Sequence, residues 1–224
     1  MKVKALIQLL LLPLPWCIRR PLLCAIFGYT IHPTAHIGWS IVIPQKLIME
    51  KNAKIFNYVT CKPIDLLCLR EEAAIGKSTR ITGFPTSEPQ YYSHIKDRKC
   101  QLVLGKCATI TASHYIDCNE WIEIGEFTTL AGGRSHLMTH SIDVYKNRQD
   151  ARPIRIGKYC FVGSDCLFLP GSQLPDYSIL GARSVLNKVF TKESCVYAGA
   201  PASLKKEIPF EEVAYFHRTA RRVL

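Results

Sequence analysis

Residues 156–186, IGKYCFVGSDCLFLPGSQLPDYSILGARSVL, repeat a pattern every six residues. A bulky apolar residue opens each unit: Ile156, Val162, Phe168, Leu174, Leu180 and Leu186. A small residue takes the fifth position: Cys160, Cys166, Ser172, Ser178 and Ser184. Six is neither the period of a helix nor the two-residue alternation of a strand. A short strand followed by a tight corner explains it, so we predict a parallel β-solenoid with three short strands in each coil.

The same step of six recurs along most of the chain. Its bulky positions include Ile31, Ile37, Ile43, Met49, Ile55, Leu69, Ile75, Ile81, Leu104, Ile110, Ile116, Ile124 and Leu130. We therefore assign residues 31–201 to the solenoid. Two segments lose the step, at 82–101, which contains two prolines and two tyrosines, and at 143–153, which is polar. We interpret both as loops extruded from the scaffold, where functional sites are usually built.

The N-terminal segment 1–30 is apolar and basic. Its apolar run, residues 5–17, is shorter than the ~20 residues that a membrane-spanning helix needs. Two prolines interrupt the run, and Arg19 and Arg20 follow where a secretory signal would carry small residues, so secretion is the less favoured alternative. We expect a helix that packs on the domain or lies at a membrane surface, with its basic residues on anionic headgroups.

The C-terminal segment 202–224 follows the last regular unit. We predict a short helical tail there, which caps the last coil and covers its open edge.

Charge and cysteine content exclude several classes of protein. The formal net charge is +11, but residues 101–155 have a net charge of zero and no segment concentrates enough charge for a nucleic-acid groove. A hydrophobic fraction of 48% excludes an extended disordered chain. The ten cysteines form no CxxC pair, so we expect buried thiols in a reducing compartment. This favours the cytoplasm, with peripheral contact at the inner face of the cytoplasmic membrane.

The repeat, followed by YAGAPA at 197–202, resembles the left-handed β-helix, hexapeptide-repeat O-acetyltransferases. The stretch IEIGEFTTLAGGRSHLMTHSID at 122–143, with PIRIG at 153–157, is most similar to members that acetylate sugars of surface polysaccharides. The resemblance covers residues 31–206. It implies an all-β, left-handed parallel β-helix that forms a homotrimer. It also implies transfer of an acetyl group from acetyl-CoA to a sugar hydroxyl without a metal.

Such a transfer needs a base for the hydroxyl proton, and histidine suits this role because its ordinary pKa is about 6.5. The resemblance points to His140, in THSID at the base of the second loop. His136 and His114 are rivals because the length of this loop varies within the family. Asp143, three residues after His140, is expected to accept the second imidazole proton; the alternative is that it caps the loop.

For the sugar acceptor, we select three residues. His114 and Asp117, in SHYIDC, are polar within an apolar repeat, and His114 stands where a small residue is usual. Arg134 follows about one coil later. A hydrogen-bonded structural histidine is the alternative for His114.

For coenzyme A, the resemblance implies a groove between subunits lined by backbone amides of the last coils. It places Gly163, Ser164 and Ala182 there, with Lys188 near the nucleotide. Lys206 is expected to contact a phosphate. Either Lys206 or its neighbour Lys205 would replace a basic residue that the family often carries where this chain has Ser203. The sequence has no GxxxxGK[ST] motif, which argues against nucleotide hydrolysis.

Two other functions compete with this interpretation. A zinc enzyme of the γ-carbonic-anhydrase type uses the same solenoid and three histidines, for which His114, His136 and His140 are candidates. A non-catalytic scaffold at a membrane is the other alternative. The YAGAPA segment favours acetyl-CoA as the co-substrate. The resemblance implies no metal, and the distribution of charge gives no reason to expect a nucleic-acid partner.

Overall fold

The computed structural model describes residues 2–221, which form a left-handed parallel β-helix preceded by two α-helices. Most strands are two to four residues long, and a corner follows each one, so that three strands complete a coil. Strands one coil apart pair in parallel, as in the register of Leu102 with Ile122. The stacked strands form three faces, and seven coils contribute a strand to each of two of these faces. The predicted fold is therefore confirmed.

The three faces are named here in the order in which the chain visits them. Face 1 contains Thr30–Ile31, Lys46–Met49, Leu66–Leu69, Gln101–Leu104, Ile122–Ile124, Ile154–Ile156 and Gln173–Leu174. Face 2 contains His36–Ile37, Lys54–Ile55, Ala74–Ile75, Thr109–Ile110, Thr129–Leu130, Phe161–Val162, Ile179–Leu180, Cys195–Ala198 and Ser203–Glu207. Face 3 contains Ile41–Val42, Thr60–Cys61, Arg80–Thr82, Tyr115–Asp117, His136–Met138, Leu167–Phe168 and Val185–Leu186.

The core is a column of the residues that open each six-residue unit. Phe168, Leu174 and Leu180 are fully buried, and the small fifth-position residues, such as Cys160 and Ser178, are buried beside them. Burial of such a continuous apolar column is the main driving force for the fold. The structure thus confirms why the sequence repeats in sixes.

The corners depend on left-handed backbone at one position in each unit. Tyr159, Asp165, Gly171, Tyr177 and Arg183 all have positive φ values, between 53° and 81°. Each lies directly before a buried fifth-position residue. This conformation turns the chain sharply from one face to the next, and the small neighbour fills the space inside the corner.

Both interruptions of the repeat leave the solenoid at the corner between face 3 and face 1. The first spans residues 83–100 and contains a short 3-10 helix, Pro89–Tyr91. The second, predicted as a polar loop from residue 143, is an antiparallel hairpin that begins earlier, with strands His140–Asp143 and Arg148–Ala151. The pairing of these strands satisfies the backbone groups that face the partner strand.

Helices α1 (Lys2–Leu11) and α2 (Trp16–Phe27) cover the open end of the first coil. The side-chain amide of Gln8 binds the backbone of Val42 twice, accepting from its N–H at 2.8 Å and donating to its C=O at 2.5 Å. It therefore replaces the missing neighbour of the first strand of face 3. Within residues 2–221, no helix is both long enough and apolar enough to cross a bilayer.

The C-terminal tail begins with a strand, and not with the helix that we predicted for 202–224. Ser203–Glu207 pairs antiparallel with Cys195–Ala198 at the edge of face 2, and the short 3-10 helices Phe210–Glu212 and Ala214–His217 follow. The strand covers the open edge because it pairs the free backbone groups there, which a helix does not. The predicted tail extends to residue 224, of which 222–224 lie outside the described residues.

Candidate active site

A cavity of about 550 Å³ opens at the corner from which both insertions leave face 3. Aromatic and polar side chains share its wall. Its lining residues are Lys62, Pro63, Thr82, Gly83, Phe84, Pro85, Glu88, Tyr91, Tyr92, Tyr115, Asp117, Asn119, His140 and Gln149. The first insertion supplies most of the aromatic residues, and the second supplies His140 and Gln149.

His140 and Asp117 form a hydrogen-bonded pair in this cavity. His140 opens the hairpin, and Asp117 ends the face 3 strand one coil earlier. The Nδ1 of His140 donates to Oδ2 of Asp117, whose side chain is only 6% exposed, whereas the imidazole is 36% exposed. The hydrogen bond to Asp117 raises the pKa of His140, although partial burial opposes the shift. Because Nδ1 is engaged, Nε2 is the ring nitrogen free to bind a ligand in the cavity.

Asn119 connects this pair to the first insertion. Its Nδ2 donates to Oδ1 of Asp117 at 2.5 Å, and its Oδ1 accepts from the backbone N–H of Phe84 at 2.9 Å. One buried side chain thus fixes both the orienting carboxylate and the start of the cavity wall. Sequence analysis did not identify Asn119, although it follows Asp117 in a run of polar residues that ends at Glu120.

Arg98 holds the far end of the same insertion. Its buried guanidinium donates to the carbonyls of Phe84 at 2.8 Å and Asn119 at 2.7 Å, and lies 4.6 Å from the centre of the Tyr92 ring. Glu120 accepts from the backbone N–H of Lys99 at 2.9 Å. These contacts join the insertion to the coil at both ends, so the aromatic wall has a defined position. Arg98 was also not identified from sequence.

Asp143 does not orient His140, contrary to the expectation from sequence. Its carboxylate accepts from the backbone N–H groups of Tyr145 and Lys146, at 3.1 and 3.2 Å, and caps the hairpin turn. Residues three apart on a strand point to opposite sides, which separates Asp143 from the imidazole. Asp117, selected from sequence as an acceptor-binding residue, occupies the orienting position instead.

His114 and Arg134 do not line the cavity. His114 is buried in a coil, with Nε2 lying 3.1 Å from Oγ1 of Thr111, and burial lowers its pKa to about 4. The environment is that of a structural histidine, the alternative considered from sequence. Arg134 lies at a corner, where its guanidinium binds both carboxylate oxygens of Asp165 at 2.7 and 2.8 Å.

His136 is a neighbour of the cavity but not part of its lining. Its ring packs edge-on against Tyr115, with 4.5 Å between centroids, and burial lowers its pKa. Across residues 2–221, His114, His136 and His140 do not assemble a set of metal ligands.

The residues expected to bind coenzyme A flank face 3 on the coils that follow His140. Ser164 and Ala182 lie in the corners before its last two strands, and among the described hydrogen bonds their backbone N–H groups donate to no other residue. Gly163 packs so closely under the next coil that a Cβ would lie 2.6 Å from the nitrogen of Ala182. This close approach gives Gly163 a packing role.

The two lysines expected at the phosphates are exposed. Lys188 follows the last strand of face 3, with Nζ 5.2 Å from the centre of the Phe190 ring, and Lys206 lies on the tail strand. Within the described part of the chain, neither forms an ion pair. Both ammonium groups are therefore available to an anionic ligand.

Comparisons with known proteins identify the fold. No protein-family model matches the chain, and no curated protein matches its sequence. The solved polysialic acid O-acetyltransferase OatWY is 19% identical, with a TM-score of 0.62 over 80% of this chain and 84% of that one. A hexapeptide-repeat acetyltransferase from Vibrio cholerae is 14% identical, with a TM-score of 0.51 over 93% and 90% of the two chains. The resemblance seen in the repeat is thus confirmed as a shared solenoid.

Proposed function

We propose that this hexapeptide-repeat β-helix protein is an O-acetyltransferase that moves an acetyl group from acetyl-CoA to a sugar hydroxyl, with His140 as general base. One observation carries the proposal. The His140 imidazole is fixed through Nδ1 by the buried Asp117, and Nε2 is left for a ligand in a cavity of about 550 Å³. A histidine held in this way matches the arrangement of a general base with its orienting group.

The acetyl group passes directly from the thioester to the acceptor, with no acetyl-enzyme intermediate. The acceptor hydroxyl lies at Nε2 of His140, which removes its proton as the oxygen attacks the thioester carbonyl. Asp117 keeps Nδ1 protonated and stabilises the imidazolium that forms. The tetrahedral intermediate then expels the thiolate of coenzyme A, which takes up the proton from Nε2. The acetyl ester and the free thiol are the products, and His140 returns to its neutral form.

The wall of the cavity fits a saccharide. Phe84 and Tyr91 are partly exposed at its rim, where aromatic faces can cover the C–H side of a pyranose ring. Gln149 and Lys62 add hydrogen-bond donors for hydroxyl groups. The related fold of a polysialic acid O-acetyltransferase supports a saccharide acceptor.

The residues around face 3 fit the donor. The N–H groups of Ser164 and Ala182 are available to amide carbonyls, and Lys188 and Lys206 are available to phosphates. Half-buried apolar side chains, such as Leu167 and Val185, lie on the outer side of the same face. We place the donor along this side, in a groove between neighbouring subunits of a homotrimer.

The proposal is tested by following thiol release from acetyl-CoA with a panel of nucleotide sugars and free saccharides. We expect the wild-type protein to turn over with one group of related pyranoses. His140→Ala should lower kcat by about 10²- to 10⁴-fold, the usual contribution of a general base. His32→Ala, which removes an exposed histidine of the first coil, is the matched control and should keep full activity.

The outcomes separate the alternatives. Full activity of His140→Ala would reject the base but not the transferase. If no saccharide supports turnover, the transferase proposal fails; CO₂ hydration by a zinc-bound form would then identify the carbonic-anhydrase alternative. Absence of both activities would leave the non-catalytic scaffold as the remaining alternative.

A further inference from the structure

The two N-terminal helices have an outer surface composed of apolar residues. Leu10, Val3 and Leu6 are 70%, 69% and 58% exposed. Between residues 3 and 27, all exposed residues are apolar: Val3, Leu6, Leu9, Leu10, Pro13, Pro15, Cys17, Ile18, Pro21, Ala25 and Ile26. We call this set the outer apolar surface.

Three polar side chains of the same segment point the other way, toward the first coil. Gln8 binds the backbone of Val42, and the buried Arg19 donates to the carbonyls of Ile37 and Gly38, at 2.8 Å for the latter. The indole N–H of Trp16 donates to the carbonyl of Ala35 at 2.9 Å. A helix on the surface of a water-soluble domain normally faces the core with its apolar side. Here both polar side chains and apolar ones, such as Leu23 and Phe27, attach the helices to the first coil, and the exposed positions are apolar as well, so water is a poor partner for the outer side.

The surrounding charge is positive. Residues 1–49 contain no acidic residue and five basic ones, Lys2, Lys4, Arg19, Arg20 and Lys46, of which Arg19 is buried against the first coil and is not available to a headgroup. The next coil adds the exposed Lys51 and Lys54. Trp39, which is 60% exposed at a corner of the first coil, is a residue type that favours the boundary of a bilayer. Apolar surface with surrounding cations is complementary to an anionic lipid surface.

One further observation favours lipid over a second copy of the chain, and another restricts how the helices can bind lipid. Pairing this end with itself would bring like charges together, with no acidic residue before Glu50 to compensate them. The helices are also too short to span. Ten and twelve residues correspond to lengths of roughly 15 and 18 Å, against a hydrocarbon thickness of ~30 Å.

We propose that the outer apolar surface inserts into the interfacial layer of an anionic bilayer and anchors the solenoid there by its N-terminal end. The anchor is independent of the transferase activity, because it involves neither the cavity nor face 3 beyond the contact of Gln8 with Val42.

The test is cosedimentation of the full chain with vesicles of phosphatidylcholine, with or without phosphatidylglycerol. We expect strong binding to the anionic vesicles and weaker binding to phosphatidylcholine alone. Leu6→Gln combined with Leu10→Gln should lower the partition coefficient by about tenfold or more, because two exposed leucines no longer enter the lipid. Val189→Gln with Leu204→Gln, at the other end of the solenoid, is the matched control and should bind like the wild type.

Either of two results would overturn the proposal. One is that the wild-type chain stays in the supernatant with anionic vesicles; the other is that the leucine variant binds like the wild type while its circular dichroism is unchanged. If the wild type does not bind vesicles but forms oligomers that the leucine variant does not form, the outer apolar surface is an interface between copies of the chain instead.

Discussion

The carboxylate that orients His140 comes from the neighbouring coil and not from the hairpin that His140 opens. Asp117 is in register with Met138, so the end of one face 3 strand lies beside the residues that follow the next. Sequence reasoning identified both His140 and Asp117 but assigned the orienting role to Asp143, which is closer along the chain. Register across a coil depends on the number of residues in every corner between the two strands, and local spacing does not contain that information.

Replacing Asp117 with Asn should change both the pKa of His140 and the orientation of its imidazole. The two effects should appear in different parts of the pH profile. The hydrogen bond to Asp117 raises the pKa of His140, so its loss should lower that pKa. The base is active when neutral, and the acidic limb of the kcat/KM profile should therefore move to lower pH in Asp117→Asn. The plateau should fall by about 10²- to 10⁴-fold, because the amide no longer fixes the tautomer. Thiol release measured across pH gives both quantities.

Asp143→Asn is the control for this prediction. Its carboxylate caps the hairpin turn, so the acidic limb should stay where it is in the wild type. An unshifted limb in Asp117→Asn, or an equal shift in both variants, would contradict the assignment of Asp117 as the positioning residue.

At the scale of elements, the corner between face 1 and face 2 depends on glycine. Gly125 lies so close to the next coil that a Cβ would be 2.5 Å from the backbone carbon of Gly157 and 2.5 Å from the nitrogen of Lys158. Backbone atoms of a stacked coil have little room to move. We therefore expect Gly125→Ala to lower the free energy of unfolding by about 2–3 kcal/mol, as overpacking of a rigid core does.

Urea denaturation followed by circular dichroism measures this effect. Gly133→Ala is the matched control, because its nearest contact would be the carbonyl of Ala112 at 3.2 Å, which needs only a small adjustment. It should cost under about 1 kcal/mol. Equal midpoints for the two variants would show that close stacking at Gly125 does not limit stability.

The repeat predicts some elements and not others, for a physical reason. A coil is determined by residues six apart, so the sequence contains the information for faces 1, 2 and 3. The hairpin at 140–151 and the tail strand Ser203–Glu207 are antiparallel additions. Their pairing depends on which backbone N–H and C=O groups are unpaired, and not on the step of six. The cavity likewise forms between two insertions, and Arg98 and Asn119 acquire their roles only when both insertions meet the coil.

At the scale of the whole molecule, the distribution of charge follows the axis of the solenoid. Segment 101–155, which has a net charge of zero, contributes His140 and Asp117 to the cavity. The excess of basic residues lies before and after this segment. This separation agrees with a neutral acceptor at the proposed site, anionic lipid at the N-terminal end and a phosphorylated donor toward the last coils.

The ten cysteines give the last prediction, because the solenoid encloses most of them. All ten are free thiols, and eight of them are buried: Cys61, Cys68, Cys100, Cys107, Cys118, Cys160, Cys166 and Cys195. Cys160 and Cys166 fill the insides of corners, and burial raises the pKa of Cys160 to about 12, which removes the reactive thiolate. Only Cys17, on the second helix, is exposed, and Cys24 is intermediate.

Titration of the native protein with Ellman's reagent should therefore show one fast thiol, and titration in denaturant should show all ten. Cys17→Ser should abolish the fast phase without changing the thermal midpoint, because the side chain packs against nothing in the core. A total below ten in denaturant would mean that some cysteines are paired. Several fast thiols in the native state would mean that the coils open readily, since eight of these side chains become accessible only when stacked coils separate.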